Sequence, residues 1–535
     1  MGFKIGRRNM LLSGLGLAAA GYAGWPAMAA TRAIAAVKDF YDVRNYGAVG
    51  DGKALDTAAF NRAIDAAAAT GGGTVLIPAG TYLCFSIRLK SLVHLVLEQG
   101  ATIIAADSPK PGQTTGYMGG TYDAAEPDTA WVHFQDYGHN HWHNSLIWGE
   151  DLHDISVSGP GLIWGRGLSH GRNVRTLGNT FKAEQPGVGN KAIALKNCRN
   201  VHLTDFSILK GGHFGLLLTG VDNLMIDGLT IDTDRDGIDI DCCQNVHVSN
   251  CSVNAPWDDA IVPKSSFALG YNRPCKNLTI DNCYVSGCWD LGTLLDGSFK
   301  RITDPEYAFM TGRIKLGTES NGGFLNTTIS NSTFEGCQGL ALETVDGALL
   351  EDVTITNIAM RDLVSGPLFL RLGARLRGPA GSTKTGTLRR IMISNITAHN
   401  CDTRFSSIAS GVPGTAIEDL KIANVFVDHA GGGQPVAQVP ENENKYPEPN
   451  MFGPMPAHGF YFRHVRGLDV SHVEVRPQAA DPRPAFQLED VTRADFFAVT
   501  VPAPAFALKK VSDFRVAWSR PVADTVIANA DNKTL

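Results

Sequence analysis

The segment Asn200–Ile208 reads NVHLTDFSI, and three related segments follow it: NLMIDGLTI at Asn223–Ile231, NVHVSNCSV at Asn245–Val253 and NLTIDNCYV at Asn277–Val285. Each segment opens on an asparagine and continues with alternating, largely β-branched residues. A period of 20 to 50 residues is typical of repeat proteins, whose units bury their apolar faces only by stacking. The pattern predicts an all-β solenoid, a right-handed parallel β-helix that rises about 4.8 Å per coil.

The recurring asparagines are interpreted as structural. Asparagine tolerates the left-handed backbone conformation of tight turns, and stacked asparagines can form a hydrogen-bonded ladder. Several of the ten cysteines follow the same period. We expect buried free thiols, with disulfides between neighbouring coils as the alternative. A zinc site is not expected, because paired Cys-x-x-Cys motifs do not occur.

The N-terminal edge of such a solenoid needs a cover, because open strand edges invite pairing with other chains. Thr57–Ala69 has the apolar spacing of an amphipathic helix, and Asp56 is placed to cap it. We therefore predict an N-terminal capping helix here. Long loops with many aromatic and histidine residues are expected between about Pro109 and Asn190.

The first residues resemble an export signal. Arg7 and Arg8 form a twin-arginine pattern, a short apolar stretch follows, and Ala27–Ala29 supplies a small-residue cleavage site. We expect a bacterial periplasmic or extracellular protein without stable membrane insertion after cleavage; an uncleaved anchor is the alternative. The predicted organisation is a signal at 1–29, cap and first coils at 30–110, a catalytic β-helix with loop insertions at 111–510, and a tail or last coil at 511–535.

The composition supports this fold and narrows the partners. The chain has 535 residues, 58 of them glycine, and 44% of its residues are hydrophobic, which suits a turn-rich β protein with a large core. Acidic residues number 53 against 47 basic ones, a formal net charge of −6. This balance argues against a nucleic-acid partner. The oligomeric state is left open.

Carboxylates concentrate in two neighbouring repeats. The segment Asp232–Asp241 contains Asp236, and Asp258 and Asp259 follow one repeat later. Carboxylates that lie close together repel one another and raise at least one pKa, which supplies the acid and the base of glycosidic cleavage. The alternatives are an exposed acidic turn, or a calcium loop, whose twelfth position would be Cys243 rather than glutamate.

Two basic residues should lie on the same face. Arg313 and Lys315 follow about two repeats after the carboxylates, and alternation along a strand points both side chains the same way. A guanidinium beside an ammonium is a good receptor for a sugar carboxylate. The alternative is compensation of the acidic charges.

These residues resemble the motifs of glycoside hydrolase family 28, the polygalacturonase family. Asp234–Gly237 resembles its NTDG motif, Asp258–Asp259 its DD motif and Arg313–Lys315 its RIK motif. The resemblance implies a right-handed parallel β-helix and inverting hydrolysis of α-linked galacturonides, with no metal or other cofactor. It makes Asp258 the general acid, and Asp236 and Asp259 the residues that hold and activate water. Arg313 and Lys315 would bind substrate.

The chain departs from the family at two places. Asp234–Arg235 replaces the Asn-Thr of the first motif, and the GHG histidine is missing from the stretch before Arg313. Trp289, Asp290 or Asp296 could fill its space, and His213 could take part. We therefore include His213 and Asp290 among the predicted substrate-binding residues. The departures also favour a different pectic, uronic-acid-containing glycan, such as a rhamnogalacturonan fragment.

The histidines of the 139–143 segment have three possible interpretations. His139, His141 and His143 could hold zinc, contact sugar or simply pack within a loop.

For the whole protein, we predict a secreted glycoside hydrolase. The alternatives are a polysaccharide lyase on the same scaffold, with Arg313 or Lys315 as base, and a non-catalytic carbohydrate-binding β-helix.

Overall fold

The structure is a computed structural model that describes residues 40–170, 183–303, 310–381, 383–402, 404 and 406–535. The predicted export signal lies outside the described residues. No helix among the described ranges is long and apolar enough to cross a membrane.

Strands account for most of the regular structure. Those before the predicted site segment are Phe40–Asp42, Asp51–Leu55, Gly73–Ile77, Gly80–Cys84, Ile87–Arg88, Val93–Leu97, Ala101–Ala105, Ile147–Glu150, His153–Ser158, Leu162–Trp164, Lys191–Lys196, Arg199–Thr204, Ser207–Leu209, Phe214–Thr219, Asp222–Asp227 and Thr230–Asp232. The later ones are Asp236–Asp241, Gln244–Ser249, Ser252–Asn254, Ile261–Lys264, Cys275–Asp281, Tyr284–Ser286, Lys315–Leu316, Phe324–Glu335, Leu340–Thr344, Leu349–Arg361, Leu368–Leu372, Thr387–Cys401, Ser407–Ser410, Ile417–Gly431, Phe460–Ala479, Phe486–Phe497, Phe506–Ala517, Thr525–Ala530 and Lys533–Thr534.

The strands stack coil upon coil in parallel, which confirms the predicted solenoid. The described strands form a 29-stranded sheet that wraps the coil and a six-stranded sheet on one face. Register is kept from coil to coil: Leu224 pairs with Val246, and Val246 with Leu278. The inward-facing residues of successive coils therefore form one continuous buried core. We call the six-stranded sheet the site sheet, because it includes Asp236–Asp241 and Ile261–Lys264.

The asparagine ladder is confirmed. The side chain of Asn223 donates to Asn200 (2.9 Å), Asn245 donates to Asn223 (3.1 Å), and Asn277 donates to Asn245 (2.8 Å). All four asparagines have φ between 52° and 57°. The ladder satisfies side-chain polar groups at a turn that favours asparagine, so these residues are structural.

The helix Thr57–Ala69 is present at the predicted bounds and packs on the first strands. Its apolar face is buried as expected. Asp56 occupies the N-cap position, yet its side chain makes no capping bond. It instead accepts hydrogen bonds from the backbone N–H groups of Val49 and Gly50 (2.7 and 3.1 Å). Asp56 thus anchors the preceding turn. Among the described residues, the other helix is Thr293–Asp296, and short 3₁₀ turns span Val43–Tyr46, Tyr117–Gly119, Val132–Phe134, Tyr137–Asn140 and Pro449–Phe452.

All ten cysteines are buried free thiols. At the C-terminal end, the parallel coils reach Phe506–Ala517. Thr525–Ala530 and Lys533–Thr534 then pair with that strand in antiparallel orientation. The last residues therefore form strands that cover the final coil.

Candidate active site

The carboxylates of Asp236, Asp258 and Asp259 meet on the site sheet. One oxygen from each lies within 4.8 Å of the others. Neighbouring coils bring them together: Ile238 is in register with Ile261, and Gly237 N–H donates to the Asp259 carbonyl (3.0 Å). We call these three residues the acidic trio.

A turn lets two consecutive aspartates face the same place. An ideal strand would point Asp258 and Asp259 to opposite sides. The chain leaves the strand Ser252–Asn254, turns at Pro256 and Trp257, and re-enters a strand only at Ile261. The Asp258 carbonyl then accepts a hydrogen bond from the Gly312 N–H (2.8 Å), which fixes the turn to the next coil.

Two members of the trio have pKa values shifted in opposite directions. Burial, together with the neighbouring Asp258 charge, raises the pKa of Asp236 well above its ordinary value. Burial also acts on Asp259, but the Lys315 and Arg313 charges outweigh it and hold the pKa of that carboxyl below its ordinary value. The trio therefore holds a carboxyl that resists losing its proton beside one that loses its proton readily, which is the pairing that acid–base catalysis requires.

Arg313 and Lys315 lie against the trio as predicted, but they are buried and paired with protein groups. Arg313 is 0% exposed; its guanidinium donates to Asp259 (2.9 Å), Gln338 (2.6 Å) and Glu448 (2.6 Å). Lys315 Nζ lies 3.0 Å from Asp259. The arrangement matches the alternative of charge compensation, because these cations already have anionic partners.

Sequence reasoning missed two carboxylates at this cation pair. Glu343 lies 3.9 Å from Lys315 and 4.0 Å from Arg313; burial raises its pKa to about 8. Glu448 lies 3.7 Å from Lys315, in addition to its bond with Arg313. Glu343 could have been found from its strand, which follows the Arg313 coil. Glu448 comes from a distant loop and carries no sequence signal.

A second buried ion pair lies next to the trio and was also missed. Lys264 Nζ lies 2.7 Å from Asp239 and 3.7 Å from Asp236. Burial alone would lower the pKa of Lys264, but the two aspartates hold it well above its ordinary value. Burial also raises the pKa of Asp239 to about 7. The coil-to-coil register that joins Asp236–Asp241 to Ile261–Lys264 was the available signal.

Asp258 is the most exposed member of the trio, with 26% of its side chain accessible. Its carboxylate binds Arg235 (2.7 Å), and Arg235 in turn lies 3.2 Å from His213 Nε2. Burial and the Arg235 charge lower the pKa of His213 well below its ordinary value, so its ring is neutral. His213 thus reaches the site through Arg235, the residue that departs from the family motif.

Asp290 pairs with an exposed lysine. Its carboxylate pairs with Lys300 (3.1 Å) and is 38% exposed. Its loop is tied to the coil through Asp232, which accepts the N–H groups of Gly292 (2.7 Å) and Leu294 (3.1 Å). A substrate-binding role for Asp290 stays a prediction that these contacts do not by themselves favour.

The aspartates of the suspected calcium loop have separate partners. Asp232 accepts from Asn254 (3.0 Å), Asp234 lies 3.0 Å from His170, and Asp236 belongs to the trio. The segment runs from one strand to the next across a corner of the coil, so its side chains diverge. This geometry does not form a calcium loop.

The three histidines of the 139–143 segment also diverge. His139 lies 3.7 Å from Asp239, His141 lies 3.3 Å from Asp128, and His143 lies 2.9 Å from Glu150. They therefore do not share one metal. Two described clusters have metal-ligand spacing, the trio and a group of Glu126, His143 and Glu150. Both already have an ammonium partner: Lys315 at the trio, and Lys196 at Glu150 (2.7 Å).

The same segment covers the site sheet on the coils that precede Asp236. Trp142 is buried beside Ala194 and Leu217, and its indole N–H donates to Thr219 (3.0 Å). The His139 ring packs edge-on against Phe214 with centroids 4.8 Å apart. The loop thereby covers the face of the sheet on this side of the trio.

Two family profiles match parts of the chain. The family described as rhamnogalacturonase A/epimerase, pectate lyase-like, matches residues 40–122, and the right handed beta helix region matches residues 165–303. The second range contains the whole trio.

Two curated relatives are similar to parts of the chain. A probable polygalacturonase of Vitis vinifera is 25% identical over 242 residues, 43% of this chain and 46% of that protein. A mannuronan C5-epimerase of Azotobacter vinelandii is 41% identical over 91 residues, 15% of this chain and 9% of that protein. The chain thus spans less than half the length of these curated relatives.

The crystal structure of a hyperthermoactive exopolygalacturonase from Thermotoga maritima is similar in fold. It is 17% identical, with a TM-score of 0.54, and the match covers 73% of this chain and 87% of that one. The matches agree with the strand stacking: the chain has a right-handed parallel β-helix fold, and it is similar in part of its sequence to polygalacturonases.

Proposed function

We propose that this protein is a glycoside hydrolase that cleaves α-linked galacturonide-type bonds in a pectic glycan. The observation that carries the proposal is the acidic trio, in which the pKa of Asp236 is raised while that of Asp259 is lowered. Hydrolysis needs one group that donates a proton and one that accepts a proton from water. The trio offers both on adjacent coils.

Each member has a distinct role in the proposal. Asp258, at the exposed edge, delivers to the leaving oxygen the proton that the trio holds on Asp236. Asp259 accepts a proton from the attacking water, and Asp236, once it has given up its proton, helps to hold that water; Oδ1 of Asp236 has no hydrogen-bond partner among the described residues. Arg313 and Lys315 keep Asp259 ionised, so they support the base without touching the sugar.

The stereochemical course is proposed to be inversion. Asp259 has one oxygen on Arg313 and the other on Lys315, which weakens it as a nucleophile. One oxygen of each carboxylate lies within 4.8 Å of the others, whereas inverting pairs usually stand about 6.5–9.5 Å apart with the water between them; the attacking water is therefore proposed to sit beside the trio. The anomer of the first product tests this step.

Arg235 is the cation proposed to receive the substrate carboxylate. Its side chain is 16% exposed and pairs with Asp258, whereas the buried Arg313 donates to Asp259. A guanidinium binds a carboxylate through paired N–H groups. In this proposal, uronate recognition lies next to the proposed acid.

Exo action is proposed because the Trp142 segment covers the sheet on one side of the trio. A cleft covered on one side accepts a chain end and excludes a chain interior. Products released singly from the end of a long chain would support this, and an early spread of intermediate lengths would contradict it.

Lyase chemistry is disfavoured by the charges of the two candidate bases. Asp259 and the other carboxylates keep the pKa of Lys315 well above its ordinary value, although burial alone would lower it. An ammonium held in this way is a poor proton acceptor. An unsaturated, ultraviolet-absorbing product would restore the lyase alternative, and binding without turnover would favour a non-catalytic role.

The decisive experiment is product analysis on a panel of pectic oligosaccharides with the wild type, Asp258→Asn and the surface control Asp352→Asn. We expect the first change to abolish release of reducing ends and the control to leave it intact, since Asp352 pairs with Arg390 on the outer face. Full activity of Asp258→Asn would overturn the assignment of the acid.

Export to the periplasm or beyond is part of the proposal. It is supported by the twin-arginine pattern at Arg7 and Arg8 and by the small-residue site at Ala27–Ala29. Replacing both arginines with lysine should retain the protein in the cytoplasm, and sequencing of the exported form should begin at Ala30. An exported protein that still begins at residue 1 would contradict cleavage.

A further inference from the structure

The feature that carries this inference is a long loop over the Arg313 side of the trio. Residues 432–459, here called the strap, connect the strand Ile417–Gly431 to the strand Phe460–Ala479. Glu448 of the strap bonds to Arg313 (2.6 Å) and lies 3.7 Å from Lys315. The Tyr446 ring lies over the Lys315 ammonium, 5.7 Å from it. A protein carboxylate thus occupies the cations that an anionic sugar would need.

The positive charges of Arg313 and Lys315 are already balanced by protein carboxylates. Arg313 and Lys315 contribute two positive charges, and Asp259 and Glu448 contribute two negative ones. Burial raises the pKa of Glu343 to about 8, so that residue is mostly neutral at pH 7. A substrate carboxylate brought to this pair would add an uncompensated charge beside Glu448, which costs more in a buried place than in water.

The strap is anchored on both sides of Glu448. Phe452 and Met455 are buried in a cluster with Phe369 and Tyr461. Before Glu448, Glu441 lies 3.3 Å from Arg463 and 3.2 Å from His464. These contacts hold the strap in place, so Glu448 is built into the site.

A cavity next to Glu448 is lined by groups that can bind sugar hydroxyls. It has a volume of about 210 Å³. Its polar side chains are hydroxyls and amides, Thr311, Gln338, Ser365 and Asn450, and Glu448 is the one charged residue among the described lining. Thr311 N–H bonds to the Pro256 carbonyl (3.0 Å), in the turn that carries Asp258. Such a lining suits the hydroxyl groups of a neutral ring.

We propose that Glu448 makes this cavity a subsite for an uncharged sugar and rejects a uronate there. The inference rests on the proposed function and deepens it: the preferred glycan alternates, with a uronate on the Arg235 side of the cleaved bond and a neutral sugar on the Arg313 side. Glu448 is a specificity-determining residue, because its carboxylate accepts sugar hydroxyls and repels a sugar carboxylate.

The test compares binding of D-galacturonate and D-galactose, which differ only in the carboxylate, by titration calorimetry. The variants are Glu448→Gln and the matched control Glu441→Gln, which makes the same change on the same strap away from Arg313. We expect Glu448→Gln to improve the affinity for galacturonate relative to galactose tenfold or more. The control should keep the wild-type affinity ratio, and circular dichroism at the assay temperature should show that both variants are folded.

Other outcomes overturn the inference. Equal gains in affinity for both sugars would mean that Glu448 only blocks access to the cavity. An unchanged ratio of the two affinities would show that Glu448 does not discriminate between charged and neutral sugars. Binding does not depend on turnover, so a protein that hydrolyses no glycan would end the proposed function while this measurement still decides the role of Glu448.

Discussion

Replacing Arg313 with methionine tests whether this residue compensates buried charge. The change removes donors to Asp259, Gln338 and Glu448. Removing one partner of a buried ion pair typically costs about 3–5 kcal/mol, because the other charge is left uncompensated. Lys315 still lies 3.0 Å from Asp259, so we expect the lower end, about 3 kcal/mol.

The assay is urea unfolding followed by fluorescence, with Arg301→Met as the matched control. Arg301 also contacts two carboxylates, Glu335 (2.9 Å) and Asp362 (3.2 Å), but is 41% exposed. Exposed pairs contribute about 0–1 kcal/mol. Adding Glu448→Gln to the Arg313 variant should recover part of the lost unfolding free energy, because one uncompensated carboxylate is then removed. If Arg313→Met lowers the free energy of unfolding no more than the control does, Arg313 does not compensate buried charge. Its interpretation as a receptor for a substrate carboxylate would then be restored.

Three further outcomes are expected. The kcat/KM should fall as pH rises through the raised pKa of Asp236, because the trio then loses its proton; a profile that stays flat into the alkaline range would contradict this. Burial raises the pKa of Glu343 from 4.5 to about 8 in the folded state, so its contribution to stability is present below about pH 4.5 and is lost as pH rises to 8. Glu343→Gln should therefore narrow the difference in melting temperature between pH 5 and pH 8, and an unchanged difference would count against a protonated Glu343. Arg235→Gln should raise KM on galacturonides with Arg235→Lys intermediate, whereas an unchanged KM would remove the proposed carboxylate contact.

The coil architecture was predictable because it depends on local, repeated chemistry. An asparagine at each turn and alternating apolar residues are enough to specify stacked strands, and the ladder from Asn200 to Asn277 follows directly. The convergence of Asp236 with Asp259 was predictable for the same reason, since one repeat separates them in sequence and one coil in space.

The partners of the site could be predicted only where they share that period. Lys264 and Glu343 lie on strands of successive coils, so register alone could have indicated them. Glu448 approaches from the strap, 135 residues after Arg313, and depends on the packing of Phe452 and Met455, which no periodic pattern encodes. The divergence of the histidines had the same origin, because a turn in that loop breaks the alternation that a strand would impose.

The most direct test of the central claim is proton NMR of the first products released from a mixed panel of galacturonide oligosaccharides. The acid–base account predicts saturated products whose new reducing ends first appear as the β-anomer, and no such products from Asp258→Asn. Unsaturated sugars, an initial α-anomer, or undiminished turnover by the variant would contradict it.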